Sequence, residues 1–350
     1  MNENKIHTGT APNETESRKD SHLELAFLSQ NNSIDARFFY EPMIAAHPDL
    51  NAEWPVRLGN KTLKYPIWIS SMTGGTDKTN EINMRLAKAV ARFGLGMGVG
   101  SVRIAMEDAE KIRDFRLRPL LGENVPYYIN FGIAQIEKSI KAKKTDLFLK
   151  MAELLEADGI IIHVNPLQEW MQPEGDRIEK APIDTIERFL EEIDLPLIVK
   201  EVGQGFGYQS MKRLLQLPLA AVEFAANGGT NFSKLELQRN SLKSKYLMPF
   251  VHVGQTAEEM VELSNRLAAE LGDKVKCPTL IISGGIRNFL DGYYLIRKAH
   301  INALYGQASE ILKHAKESQR ALDEYIQYQI EGLLLARTYL ILKEKENNEG

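Results

Sequence analysis

From Tyr65 onward the chain repeats one pattern: a short apolar or β-branched run, then glycine or polar residues, then a stretch with apolar positions three and four apart. The runs fall at 66–70, 95–99, 127–131, 159–164, 196–202, 220–224, 279–283 and 302–305. A strand buried on both faces reads as a continuous apolar run, whereas a covering helix reads with a 3.6-residue period. Eight such alternations predict an α/β fold, a closed parallel (β/α)8 barrel, with helices over 82–93, 145–157, 183–193, 256–271 and 290–299. A doubly wound open sheet is the rival, but it carries its glycine-rich phosphate loop after the first strand rather than late in the chain. The amphipathic segment 317–343 is expected to be a C-terminal helix covering the barrel or an oligomer contact, with its Leu-Leu-Leu and Tyr-Leu-Ile-Leu runs in the core. Residues 1–17, polar and without periodicity, are expected to form a disordered tail, leaving an N-terminal extension and a single domain over 18–350.

Composition narrows the function classes. The chain has 350 residues, 43% apolar and 26% charged, with net charge −4, so it can bury a large core. No Lys/Arg run is long enough for a nucleic-acid footprint. No apolar run approaches the roughly 20 residues of a membrane helix, and the polar start has no signal-peptide core. The single cysteine, Cys277, excludes an intramolecular disulfide and fits a reducing compartment; before a proline and an apolar run it reads as a buried structural thiol. These features predict a cytoplasmic protein without nucleic-acid or membrane partners.

In parallel barrels the chemistry sits at the carboxyl ends of the strands. The fourth run opens directly onto His163-Val164-Asn165-Pro166-Leu167-Gln168-Glu169, a turn that is either capping its own backbone or delivering polar groups to a cleft. Ser71-Met72-Thr73-Gly74-Gly75 follows the first run, Gly100-Ser101-Val102-Arg103 the second, and Asn130 ends the third. The fifth ends in Lys200-Glu201, where a buried cation needs an anionic neighbour: a salt bridge to Glu201 or Glu223, a Schiff-base role, or the carbonyl edge of a flavin. Asn227-Gly228-Gly229-Thr230-Asn231 follows the sixth. Ser283-Gly284-Gly285-Ile286-Arg287 and Gly306-Gln307-Ala308 follow the last two, where exposed backbone N–H groups make a phosphate cradle. Near the N-terminus, Arg18 and Lys19 with His22 form either a solvated face or an anion clamp.

Taken together, in this order and spacing, Arg18-Lys19-x-x-His22, Met72-Thr73-Gly74-Gly75, Gly98-Val99-Gly100-Ser101, His163-x-Asn165-Pro166-x-Gln168-Glu169, Gln172-Pro173-Glu174-Gly175, Val199-Lys200-Glu201, Gly228-Gly229-Thr230-Asn231 and Ser283-Gly284-Gly285-Ile286-Arg287 resemble the type 2, flavin-dependent isopentenyl-diphosphate isomerases. The resemblance runs from Arg18 to about Leu312. It implies a TIM barrel binding FMN, with Mg2+ and NADPH to keep the flavin reduced, in an even-numbered homo-oligomer, tetramer or octamer. It implies that Arg18, Lys19, His22, Ser101, Val102 and Arg103 hold a diphosphate substrate and that Glu169 takes the Mg2+ bridging to it. Ser71, Met72, Thr73, Gly74, Ser101, Asn130, Lys200 and Thr230 would hold the flavin, with Gly284, Gly285, Arg287, Gln307 and Ala308 at its phosphate. His163, Asn165, Gln168 and Lys200 would serve the reacting carbons. Moving an unactivated double bond needs a strong acid and a stabilised cation-like state. The expectation is that the N5 of reduced FMN is the main acid/base and that Gln168 orients substrate or relays the other proton.

The chain departs from that pattern at Val102, where many relatives carry Gln, at Ala225-Ala226, where many carry Ser-Gly, and at Gln307 to Glu310, which lack a common Arg or Pro. A rival FMN oxidoreductase would pair a His base with a carboxylate-binding Arg, or use a Ser or Cys base, and would lack the Gln-Glu pair. A non-catalytic sensor would have lost Glu169, Lys200 or Arg18-Lys19, all of which are present.

Overall fold

Eight parallel strands close on themselves in the computed structural model, which describes His22, residues 25–71 and residues 77–343. They are β1 (Ile67–Ile69), β2 (Gly96–Ser101), β3 (Tyr127–Gly132), β4 (Gly159–His163), β5 (Leu197–Lys200), β6 (Ala221–Glu223), β7 (Thr279–Ser283) and β8 (Asn302–Gln307). Each strand pairs with its sequence neighbours and β8 returns to β1, so the expected (β/α)8 barrel forms with no free edge. The strands are shorter than several of the apolar runs: β5 stops at Lys200 because Glu201 turns its carboxylate back onto the N–H groups of Gly203, Gln204 and Gly205.

Alternation along these strands divides the barrel interior into layers. Trp68, Tyr128, Ile161, Ile198, Ala221, Ile281 and Leu304 form one apolar cluster, with Trp68 and Tyr128 meeting edge to face at 5.9 Å. Val56, Leu58 and Leu63 join it from a β-hairpin, Val56–Leu58 with Lys61–Leu63, that closes the amino-terminal end of the barrel. Two residues further along the same faces stand Ser70, Asn130, His163, Lys200, Glu223, Ser283 and Gly306. The apolar layer is thus the floor of a polar one at the carboxyl ends.

Helices Asp77–Phe93, Ile133–Lys141, Pro182–Glu192, Tyr208–Leu215, Ala257–Leu271, Phe289–Lys298 and Ser309–Glu317 follow the strands. The amphipathic C-terminal segment is helical over Gln319–Tyr339 and packs against Asp77–Phe93 and Phe289–Lys298. Leu333 and Leu334 are buried as expected but Leu335 is exposed, and Leu340–Leu342 is extended with Ile341 half exposed, so the Tyr-Leu-Ile-Leu run does not enter the core. Residues Tyr40–Leu342 form one compact unit; the described residues before Tyr40, with Lys343, belong to a second. Cys277 is buried, its thiol pushed up to about 11 by burial. Among the described residues no helix is long and apolar enough to cross a membrane. Trp68→Ala should remove about 3–5 kcal/mol of stability, since the floor has nothing to refill the space; a urea midpoint unchanged by the substitution would contradict the layered core.

Candidate active site

The polar layer forms a connected arc. Ser71 accepts from Asn130 Nδ2 at 3.2 Å, and Asn130 Oδ1 lies 2.8 Å from His163 Nδ1. With Asn130 so oriented, the imidazole donates from Nδ1 and keeps Nε2 as an acceptor. Burial, with the Lys200 charge added, pushes His163 down to about 4, so the ring is neutral across the physiological range. Lys200, 7% exposed, donates to the Glu201 backbone carbonyl at 3.0 Å and stands 3.7 Å from Glu223 Oε1. The salt-bridge partner is therefore Glu223; the Glu201 carboxylate, raised by burial, faces away and holds its own loop. Glu223 is fully buried, accepts from Ser283 Oγ at 3.3 Å and leaves Oε2 without a partner. The hydroxyl of Ser283 in turn accepts from the N–H of Ala225 at 2.9 Å.

A second group forms just past β4. Pro166 at the first turn starts a short helix, Pro166–Met171, that presents Gln168 and Glu169. Asn165, 2% exposed, donates to Gln168 Oε1 at 3.1 Å and Glu169 Oε1 at 3.0 Å, and Glu169 Oε2 accepts from the N–H of Asp176 at 2.7 Å. Asp176 also binds Lys138 at 2.6 Å and Arg103 at 3.4 Å, while Arg103 bonds Glu107 at 2.8 Å. Among the described residues no cluster of three or more His, Cys, Asp or Glu side chains could hold a metal by itself. Glu169 offers a single carboxylate, enough for a hard cation only when phosphate oxygens and water complete its shell.

Two residues here escape sequence reasoning. Glu236 on helix Phe232–Arg239 is 4% exposed; its Oε1 lies 3.5 Å from Gln168 Nε2 and its Oε2 2.6 Å from Arg239. Lys243 donates to the carbonyls of Trp170 and Met171, capping the short helix from outside. Both lie in the long β6 to β7 connection, on the short helices Phe232–Arg239 and Ser241–Leu247, whose polar sequences do not mark them out.

Ser70, Ser71, Lys200, Thr230, Gly284, Gly285, Gln307 and Ala308 line one recess of about 60 Å³. Gly284 and Gly285 have φ of +97° and +75°, and a Cβ on Gly284 would overlap the Ala226 backbone, so the turn admits glycine alone there. Ala225 sits at φ +43°, a left-handed position that its N–H bond to Ser283 helps to hold. Ser70 Oγ is buried without a partner. Gln307 is 3% exposed and both ends of its amide are engaged within the protein, so its side chain shapes the recess rather than reaching into it. Arg287 is exposed outside the recess, its N–H bonded to Asp291.

Ser101 is half-buried beside Arg103; Val102 is fully buried and its N–H serves Asn130, so any part of Val102 in binding falls to its remaining backbone. His22 is exposed, and Arg18, Lys19, Met72, Thr73 and Gly74 lie outside the described residues. A roomier cavity, about 640 Å³, touches Asn165 and Gln168 and is lined by Val164, Ile186, Val199 and Leu214 together with polar groups that include Glu201 and Arg213. Val199 alternates with Lys200, which places this cavity outside the barrel wall, away from the charged layer.

No family model matches the sequence. An isopentenyl-diphosphate delta-isomerase of Rickettsia typhi is 30% identical over 324 residues, 90% of this chain and 91% of its own. That of Rickettsia rickettsii (strain Sheila Smith) is 31% identical over 325 residues, with the same coverage. The chain belongs to the isopentenyl-diphosphate delta-isomerase family. Among solved structures, a mandelate oxidase variant with the monooxide FMN adduct superposes with TM-score 0.53 at 14% identity, covering 96% of this chain and 100% of that one. A second, with (S)-mandelic acid, gives 0.55 at 14% identity over 88% and 87%. These two share the barrel of this isomerase-family chain.

His163 makes a pH prediction. Its folded value near 4 lies below the ordinary 6.5, so between those values the unfolded chain binds a proton the folded one refuses. The stability from keeping the ring neutral is complete above about pH 6.5 and is lost as pH falls toward 4. Thermal midpoints from pH 7 to 4.5 should fall more steeply for the native chain than for His163→Gln; parallel curves would contradict the assignment.

Proposed function

We propose that this chain interconverts isopentenyl diphosphate and dimethylallyl diphosphate for isoprenoid biosynthesis, as a type 2 enzyme using reduced FMN, Mg2+ and NADPH as the source of reducing equivalents. We place it in the cytoplasm as a homo-oligomer, tetramer or octamer, with no nucleic-acid or membrane partner. The observation that carries the reading is the polar layer of Asn130, His163, Lys200 and Glu223 at the same barrel mouth as a glycine-lined recess, in a chain related over nine-tenths of its length to these isomerases.

The residues present fit FMN. The recess has room for a phosphoryl group against glycine backbone and Ser70, and Lys200 stands beside it as a cation for an electron-rich ring. When bound, reduced FMN supplies that ring and an exchangeable proton at the mouth of the barrel. The chain's own residues do the rest. Lys200 would face the ring, with Glu223 behind it at 3.7 Å. His163 offers Nε2 as a neutral acceptor. Arg103, now shared between Glu107 and Asp176, would exchange carboxylates for the diphosphate, and Glu169 would hold Mg2+, which supplies charge neutralisation there. Arg18, Lys19 and His22 belong to the same proposal as further diphosphate contacts, and Met72, Thr73 and Gly74 as flavin contacts.

Gln168 cannot itself titrate, and the proton path in this proposal runs through its amide, held between Asn165 and the carboxylate of Glu236. The 3.5 Å approach has to tighten with substrate in place for this path to work. Gln168→Ala and Glu236→Gln should each lower kcat by about 100-fold or more with KM changed far less; full activity in either variant removes that residue from the proton path.

The reaction itself is tested anaerobically with FMN, Mg2+, dithionite and isopentenyl diphosphate in D2O, followed by proton NMR. Dimethylallyl diphosphate with deuterium incorporation is the expected result. A flavin that is bound and reduced but yields no product would overturn the proposal.

A further inference from the structure

We infer that Tyr325, on the C-terminal helix and outside the barrel, is a positioning residue that holds the phosphate recess in shape through Gln307. The inference rests on the reading above, in which that recess takes the phosphate of FMN, and it goes beyond it by assigning the discrimination between a phosphorylated and an unphosphorylated flavin to a residue that touches neither.

Gln307 is the brace of the recess. Its backbone carbonyl accepts from the N–H of Ser70 at 2.9 Å, tying β8 to the residue that follows β1. Its Nε2 donates to the Ile286 carbonyl at 3.2 Å, tying β8 to the turn after β7. Ile286 follows Gly284 and Gly285, the two left-handed positions that line the recess. One buried amide therefore spans the two loops that must stay in register for backbone donors to converge on an anion.

An amide can do this only if its orientation is fixed, and the hydroxyl of Tyr325 fixes it by donating to Gln307 Oε1 at 3.0 Å. With that acceptor satisfied by a hydroxyl, the NH2 end is left for Ile286. Burial and the neighbouring Glu310 push the Tyr325 hydroxyl up to about 12, so it remains a donor at any working pH. The Tyr325 ring is itself clamped, stacked on His314 with centroids 4.4 Å apart and planes 18° from parallel. His314 lies on helix Ser309–Glu317, which starts directly after Ala308 at the recess. Tyr325 thus touches both the brace and the helix that leaves the recess. Removing the hydroxyl leaves a buried acceptor unpaired; rotation of the amide relieves that and releases Ile286. The geometry lost is that of the phosphate contacts, while the flavin ring, at Lys200, keeps its site.

The test compares dissociation constants of FMN and riboflavin, from flavin fluorescence, for the full chain and for Tyr325→Phe, Gln307→Leu and the double variant. Tyr325→Phe keeps the stacked ring, so the fold is expected to persist. It should weaken FMN about tenfold and leave riboflavin within about twofold, and the double variant should be no worse than Gln307→Leu, since both act through one bond. Unchanged FMN affinity in Tyr325→Phe, equal weakening of both flavins, or additive losses in the double variant would each overturn the inference while the function stands. A native chain that binds FMN no more tightly than riboflavin would overturn the phosphate reading of the recess and this inference with it.

Discussion

A cation at the end of a strand buried on both faces has to meet negative charge, and the manner in which Lys200 does so organises the rest of this barrel. Its ammonium rests on one backbone carbonyl and approaches, without closing on, a carboxylate that is itself fully buried. An isolated charge would be costly here; at 3.7 Å the carboxylate of Glu223 offsets that cost without closing on the ammonium. Burial, with the same charge added, keeps His163 neutral, and Glu223 carries the network on through Ser283 to the backbone after β6. Strands from β3 to β7 thus share one electrostatic arrangement above an apolar floor.

The other half of the site is built from outside the barrel. The helix carrying Gln168 and Glu169 is only six residues long and has little stability of its own. It is held by Lys243 at its carboxyl end, by Glu236 toward Gln168, and by the packing of Met171 on Leu237 and Val251. Function placed on connections and supported by a rigid scaffold is the usual arrangement in parallel barrels. Here one connection carries Gln168 and Glu169 and another, more than sixty residues on, supplies their support.

Local patterns were legible where they have a local cause. The eight apolar runs, the polar change at each carboxyl end and the glycine pairs after β6 and β7 all follow from strand burial and backbone freedom. Helix Ile133–Lys141 was not legible because β3 passes into it through a single residue, Gly132, with no loop to mark the boundary. Tyr208–Leu215 is too short to show a clear period. The hairpin at the amino-terminal end did leave a signal, Gly59-Asn60 between Leu58 and Lys61 with φ of +57° at the glycine, but three-residue strands make little pattern.

By itself the sequence determined the order of the barrel strands, which side chains share a face, and the chemistry delivered to each strand end, because a two-residue alternation and a glycine turn are properties of neighbouring residues. Only the tertiary structure decided which of those groups became partners: Glu236 with Gln168, 68 positions apart, Tyr325 with Gln307, 18 apart, and Lys200 with the carboxylate of Glu223 rather than that of Glu201. It also decided the charge state of His163, which depends on burial and on a cation supplied by the next strand. Such pairings are set by how helices and loops close over the barrel, and no run of adjacent residues encodes that.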